Sequence, residues 1–234
     1  MSDPIKSEAR PPQSSATTLA EELDKPLCRI SHTLMQTCKA ATQTYYAMKS
    51  VASSETFVAV QKIAAVANLP VATVRKHLAK LADQGFIENL GRQRTAGGRP
   101  RRTCTRKIIT ARDHYGLLPT WAVCLRRWPE QAVLSIVLAQ YAKVRATADD
   151  EGWDASDWME NFSANRCWDF SLSDLQYTTG LSRHSVIEAR RNLIDCLGLL
   201  QSYGESNLWP ALYCQIIVRT QPDGFRRLYT NQLG

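Results

Sequence analysis

Residues 60–88 read VQKIAAVANLPVATVRKHLAKLADQGFIE, and the fold turns on this stretch. Val60, Ile63, Ala64 and Ala67 fall at steps 0, 3, 4 and 7, the spacing of one apolar helix face. Asn68-Leu69-Pro70 ends that helix, because proline fits a helix's first turn but not its interior. A second helix is expected over residues 71–84, with Val74, Leu78 and Leu81 as its buried face and Gly85 as its stop. Residues 86–90 read as a strand and residues 105–110 as its return partner. The local order is therefore helix, tight turn, helix, hairpin.

Toward the N-terminus, Leu34, Cys38, Ala41, Tyr45 and Met48 recur at three- and four-residue steps and predict one helix over residues 30–51. A short strand is expected at residues 55–58. Residues 1–25 carry Pro4, Pro11, Pro12 and a Ser/Thr-rich stretch, the composition of a disordered tail. Toward the C-terminus, Pro129 opens a long helix to residue 148, with Val133, Ile136, Val137, Gln140 and Tyr141 on one side. An acidic insert at 149–167 follows, with Trp153 and Trp158 in it and Trp168 beside it. Core packing or a protein-partner surface would account for those tryptophans.

A short helix over 173–179, a Gly180-Leu181 turn and a helix from the Ser182 cap to residue 197 come next. Strands are expected at 199–203, 213–220 and 225–230, the last two joined by Pro222-Asp223-Gly224. Asn68-Leu69-Pro70 through Val74 lies over Gly180-Leu181-Ser182 through Val186, and Leu81 over Leu193, a weak repeat at a spacing near 112 residues. The expected architecture is mainly α with small β-hairpin wings, an α+β class. It has two similar domains, 26–112 with a basic wing and 113–234 with an acidic insert.

The chain has 234 residues, 44% of them apolar, enough for a packed core. The seven cysteines (28, 38, 104, 124, 167, 196, 214) show no C-x-x-C pair, so reduced thiols are expected and a zinc site is not. No apolar run approaches the roughly 20 residues of a membrane span, and no signal-peptide core is present. A soluble cytoplasmic, nucleoid-associated protein without cofactor is the expectation. Phosphate-cradling G-x-x-x-x-G-K-[ST], G-x-S-x-G and H-E-x-x-H motifs are all missing. A nicking enzyme would want a histidine pair and a tyrosine; Tyr45-Tyr46 is there, but His32, His77, His114 and His184 are scattered. The chain reads as a non-enzyme with no catalytic or metal-binding residue.

Lys and Arg total 29 against 22 Asp and Glu, a net charge of +7. Residues 60–112 hold twelve basic and two acidic side chains, a local net of +10. Such a concentration favours a polyanion as partner. With Val74, Leu78 and Leu81 facing inward, Ala72, Thr73, Arg75, Lys76 and Lys80 lie on or beside the outward side of the 71–84 helix, a shape that suits the major groove. Arg75 and Lys76 suit guanine or phosphate, and Thr73 a phosphate. The loop and its flanks add Arg92, Arg94, Arg99, Arg101, Arg102, Arg106 and Lys107. Gly98-Arg99-Pro100 with Arg101-Arg102 has the look of an AT-hook core, which places arginine in a narrow minor groove; a phosphate-binding wing is the other use. In the second half, residues 113–234 hold 11 basic and 14 acidic residues. Arg183, His184, Arg190 and Arg191 lie on its corresponding helix, with Asp149, Asp150, Glu151, Asp154, Asp157 and Glu160 in or beside the insert.

The 60–88 stretch resembles the winged helix-turn-helix of bacterial transcriptional regulators. The shared features are a short helix ending in Ala67, the turn, Thr73-Val74, Leu78 and Leu81, and Gly85-Phe86-Ile87-Glu88. The resemblance covers about 80 residues and departs at Pro70, where serine or threonine usually caps the recognition helix. The second half is similar, with the more usual Gly180-Leu181-Ser182 turn. Tandem winged helices of this size also resemble plasmid and phage replication initiators. Three functions stay open: a dimeric regulator using the helix at 30–51 or 129–148 as its interface, an initiator binding origin repeats, and a winged-helix protein-interaction module.

Overall fold

Asn68 takes a left-handed conformation, φ 52°, in the computed structural model of this chain, and its N–H reaches back to the Ala64 and Ala65 carbonyls. That conformation ends helix Val60–Ala67, and Pro70, extended at φ −58° and ψ 141°, starts helix Val71–Asp83. The structure describes residues 16–18, 27–52, 55–56, 58–92, 104–110, 113–125, 127–151, 170–203, 207–210, 215–220 and 226–231. The expected tail (apart from 16–18), most of the basic loop and most of the Trp-rich insert lie outside them.

The elements run β1 (Ala16–Thr18), β2 (Leu27–Ser31), α1 (His32–Cys38), α2 (Ala41–Val51), β3 (Glu55–Thr56), α3 (Val60–Ala67), α4 (Val71–Asp83), β4 (Ile87–Gly91), β5 (Thr105–Ile108) and β6 (Tyr115–Pro119). A 3₁₀ turn (Thr120–Cys124) leads to α5 (Trp128–Glu151), α6 (Leu172–Thr179), α7 (Arg183–Arg191), β7 (Leu200–Tyr203), β8 (Asn207–Pro210), β9 (Gln215–Thr220) and β10 (Arg226–Asn231). The protein is mixed helix and strand, its sheets small and antiparallel: β1-β9-β10, β2-β6, β3-β5-β4 and β7-β8.

The helix expected over 30–51 is instead a strand end and two helices. Ser31 closes β2 and caps α1, its hydroxyl accepting from Leu34 N at 3.2 Å. The Asp113 carboxylate accepts from Ser31 Oγ at 2.7 Å and Thr33 N at 2.9 Å, putting negative charge at the helix start where the dipole favours it. Lys39 then breaks the helix with φ 50° and ψ −123°. Neither glycine nor proline marks that corner, so periodicity ran straight through it.

Ala16–Thr18 also differs from expectation. It lies in the presumed tail yet pairs with β9, register Ala16↔Ile217 to Thr18↔Gln215. Two adjacent β-branched residues, Thr17 and Thr18, meet the open edge of the β9–β10 hairpin there. Strand β8 was not expected, and α7 stops at Arg191, followed by a widened turn closed by Leu197 N to Asn192 O at 2.9 Å.

The predicted inner face of α4 holds: Val74, Leu78 and Leu81 are all buried. They join one cluster of buried residues that runs from Ile30 to Leu208 and draws on both halves of the chain. β2 pairs with β6 across the expected 112/113 boundary. β6 lies so close to α5 that a Cβ on Gly116 would fall 2.8 Å from Ser135 Cβ. Ala41 through Met48 of α2 are all buried, as are Glu130 through Ser135 of α5. These stretches of the two helices expected as dimer interfaces therefore lie inside the chain's own core, because each must cover partners on several sides at once.

Candidate nucleic-acid interface

Helix α4 crosses α2 and α3, and this packing decides which of its residues reach solvent. Ala72, Arg75, Lys76, Ala79 and Lys80 are exposed, and Thr73 is half-buried. Arg75 and Lys76 have no hydrogen bond or ion pair among the described residues. Lys80 does: its ammonium donates to the Cys38 carbonyl at 3.3 Å, at the C-terminal end of α1. Lys80, expected as a free cation, thus satisfies an orphan helix-end carbonyl. His77 shares a 2.8 Å hydrogen bond with Thr44 Oγ1. Burial, reinforced by the nearby Lys80, pushes its pKa below the ordinary histidine value, so the ring stays neutral. Pro70 leaves α4 without a side-chain cap, as its chemistry requires.

The hairpin beyond α4 forms in the expected order, but its residues divide. Lys107 is exposed, with Glu88 and Glu55 as its register partners on the flanking strands. Arg92 is exposed just past β4. Arg106, expected on the DNA side, is buried: β5 is the central strand of its sheet, and Arg106 Nη1 donates to Cys104 O at 3.3 Å. Arg94, Arg99, Arg101 and Arg102, with the Gly98-Arg99-Pro100 motif, lie outside the described residues.

The turn between α6 and α7 repeats the geometry of the turn between α3 and α4. Gly180 has φ 67° where Asn68 has 52°, and Ser182 caps α7, its hydroxyl accepting from Ser185 N at 3.2 Å. Val186 and Leu193 are buried, as Val74 and Leu81 are. Arg183, His184 and Arg191 are exposed, and Arg190 is half-buried, burial pulling its pKa down. The charge pattern is different, however. Glu188 sits on α7 and accepts from both Arg127 Nη atoms, at 2.6 and 2.9 Å, with His184 Nε2 3.9 Å from its Oε2. Arg191 faces Asp195 at 3.7 Å. Sequence reasoning did not find the Arg127–Glu188 pair; its members are 61 positions apart, with no local signal.

Helix α1 bridges the two helix–turn–helix segments. Gln36 Nε2 donates to Tyr177 O at 2.7 Å, and a Cβ on Gly180 would lie 2.9 Å from Gln36 Cα. One short helix thus touches the end of α4 through Lys80 and the α6–α7 turn through Gln36.

The adjacent tyrosines are structural. Tyr45 donates to Ile109 O at 2.8 Å and Tyr46 to Pro119 O. Burial pushes the Tyr45 hydroxyl up to about 12 and Tyr46 well above its usual value, so neither is poised as a nucleophile. Among the described residues no three His, Cys, Asp or Glu gather as a metal site, and no helix is long and apolar enough to cross a membrane.

No family model, curated protein or solved structure matches this chain.

Proposed function

We propose that this chain is a sequence-specific double-stranded DNA-binding protein, a transcriptional regulator acting on the nucleoid through two winged helix-turn-helix units. Helix α4 enters the major groove, with Arg75 and Lys76 at base edges or phosphates and Thr73 at a phosphate. The segment 91–107 lies along the backbone or in the minor groove, Arg92 and Lys107 contributing from its described ends. Arg183 and His184 of α7 supply a secondary grip, tempered by Glu188. The reading assigns no catalytic residue and no cofactor.

The observation that carries this reading is the solvent side of α4. Among the described residues Arg75 and Lys76 have no partner there, beside Lys80, in a segment of net +10, while the opposite side of the helix is core. Like charges at that density repel one another unless an anion lies over them. The test is affinity for random-sequence duplex across a salt series. Log affinity should fall steeply with log salt. Replacing Arg99, Arg101 and Arg102 together by alanine should flatten the slope by about 0.9 for each phosphate no longer neutralised. A salt-independent affinity would reject phosphate neutralisation and favour the protein-interaction module.

A second reading, a replication initiator that engages origin repeats with both units, draws support from the common core. Two reading helices joined through one core and one bridging helix allow a single chain to span a composite site. Fragments selected from random DNA separate the two readings: direct repeats favour the initiator, palindromes a dimeric regulator.

A further inference from the structure

Lys39 is an exposed lysine in a backbone conformation that belongs to glycine. Its φ 50° and ψ −123°, followed by Ala40 at −56° and −24°, match the central pair of a type II′ turn, whose first position glycine dominates. A lysine there costs stability that glycine would not, and its side chain has no hydrogen bond or ion pair among the described residues that offsets the cost.

The place of this corner in the molecule matters as much as its conformation. Lys80 of α4 is anchored on the carbonyl of Cys38, the residue just before Lys39. Lys76 lies one turn earlier on the same face of α4. Two residues before Cys38, Gln36 holds Tyr177 and packs on Gly180, immediately ahead of Ser182 and Arg183. Lys76, Lys80, Lys39 and Arg183 are contributed by three separate segments, and none has a carboxylate partner among the described residues.

We propose that Lys39 binds a backbone phosphate, placed at the corner between the two units so that one duplex runs from α4 onto the α6–α7 turn. This rests on the DNA-binding reading above and adds to it the path of the nucleic acid and a residue outside both reading helices. The side chain is kept for its charge, at the expense of the turn.

Lys39→Gly in the full chain separates the two demands. Because glycine fits the turn, the melting temperature should hold or rise. Duplex affinity at low salt should drop roughly three- to tenfold, and the salt slope should shrink by about 0.9. Lys39→Arg should recover both affinity and slope. Ethylation interference marks the phosphates the protein needs. The phosphate that ceases to matter in Lys39→Gly should fall inside the protected run, between those that cease to matter in Lys76→Ala and in Arg183→Ala. Unchanged affinity and slope in Lys39→Gly, with the native chain binding normally, would overturn the inference and leave the DNA-binding reading intact. A Lys39-dependent phosphate at the end of the run would overturn the bridging path. A marked fall in melting temperature would overturn the claim that lysine is held there against the turn's preference. No duplex binding by the native chain would remove both readings.

Discussion

Asn68 and Gly180 occupy the same left-handed position in the two interhelical turns, yet they tolerate change differently. Gly180 is pressed on the Gln36 backbone, so Gly180→Ala adds steric overlap to an unfavourable φ. It should destabilise the protein by about 1–3 kcal/mol in denaturant unfolding. Asn68→Gly, in the exposed counterpart, should change stability by less than about 1 kcal/mol. Asp113 gives a pH signature. Burial opposes its ionisation, but hydrogen bonds from Thr33 and Ser31 outweigh that and hold its carboxyl below the usual range. A depressed carboxylate stabilises the fold above the unfolded value near 4 and loses that contribution as pH falls through the folded value. Asp113→Asn should therefore melt lower than the native chain at pH 7, the gap closing below about pH 4; a constant gap would assign the effect to shape alone. Arg75→Ala should relax sequence preference by roughly 1–3 kcal/mol if Arg75 reads a guanine, and equal weakening on every sequence would place Arg75 on a phosphate.

At the scale of elements, α4 and α7 begin in the same extended conformation with different chemistry. Proline fixes the backbone of one start but bonds to no N–H, whereas Ser182 satisfies Ser185 N. Ser182→Ala should cost about 1 kcal/mol, read as a lowered denaturant midpoint with unchanged slope. The start and inner face of α4 are legible from period and punctuation, Val74, Leu78 and Leu81 being buried together, whereas for α7 only the Ser182 start is, since the helix ends at Arg191 and not at 197. The 30–51 stretch was not legible, because its apolar spacing continues through Lys39 while a tertiary corner reverses the chain. The buried state of Arg106 was equally hidden. An arginine reads as surface until the sheet order makes its strand the central one.

Across the whole molecule, one core joins the two halves of the chain and sets how they respond to damage. Leu134 of α5 is fully buried in a cluster that includes Leu81 and Leu193. Leu134→Ala should lower stability by about 2–5 kcal/mol, with both halves unfolding in one transition followed by calorimetry; two resolved transitions would mean that the units fold independently. Legible in the chain without coordinates are the helix–turn–helix–hairpin order, its partial repeat after the long helix α5, and the concentration of positive charge on and beside α4. These are local properties: hydrophobic period, turn chemistry and charge count act over a few residues and need no partner. Long-range packing alone sets α2 and much of α5 in the interior, joins Ala16–Thr18 to β9, brings Arg127 to Glu188, and puts Lys80 on the carbonyl just before the corner at Lys39. Each of those depends on residues far apart in the chain being brought together, and no local pattern encodes which distant surface a face will meet.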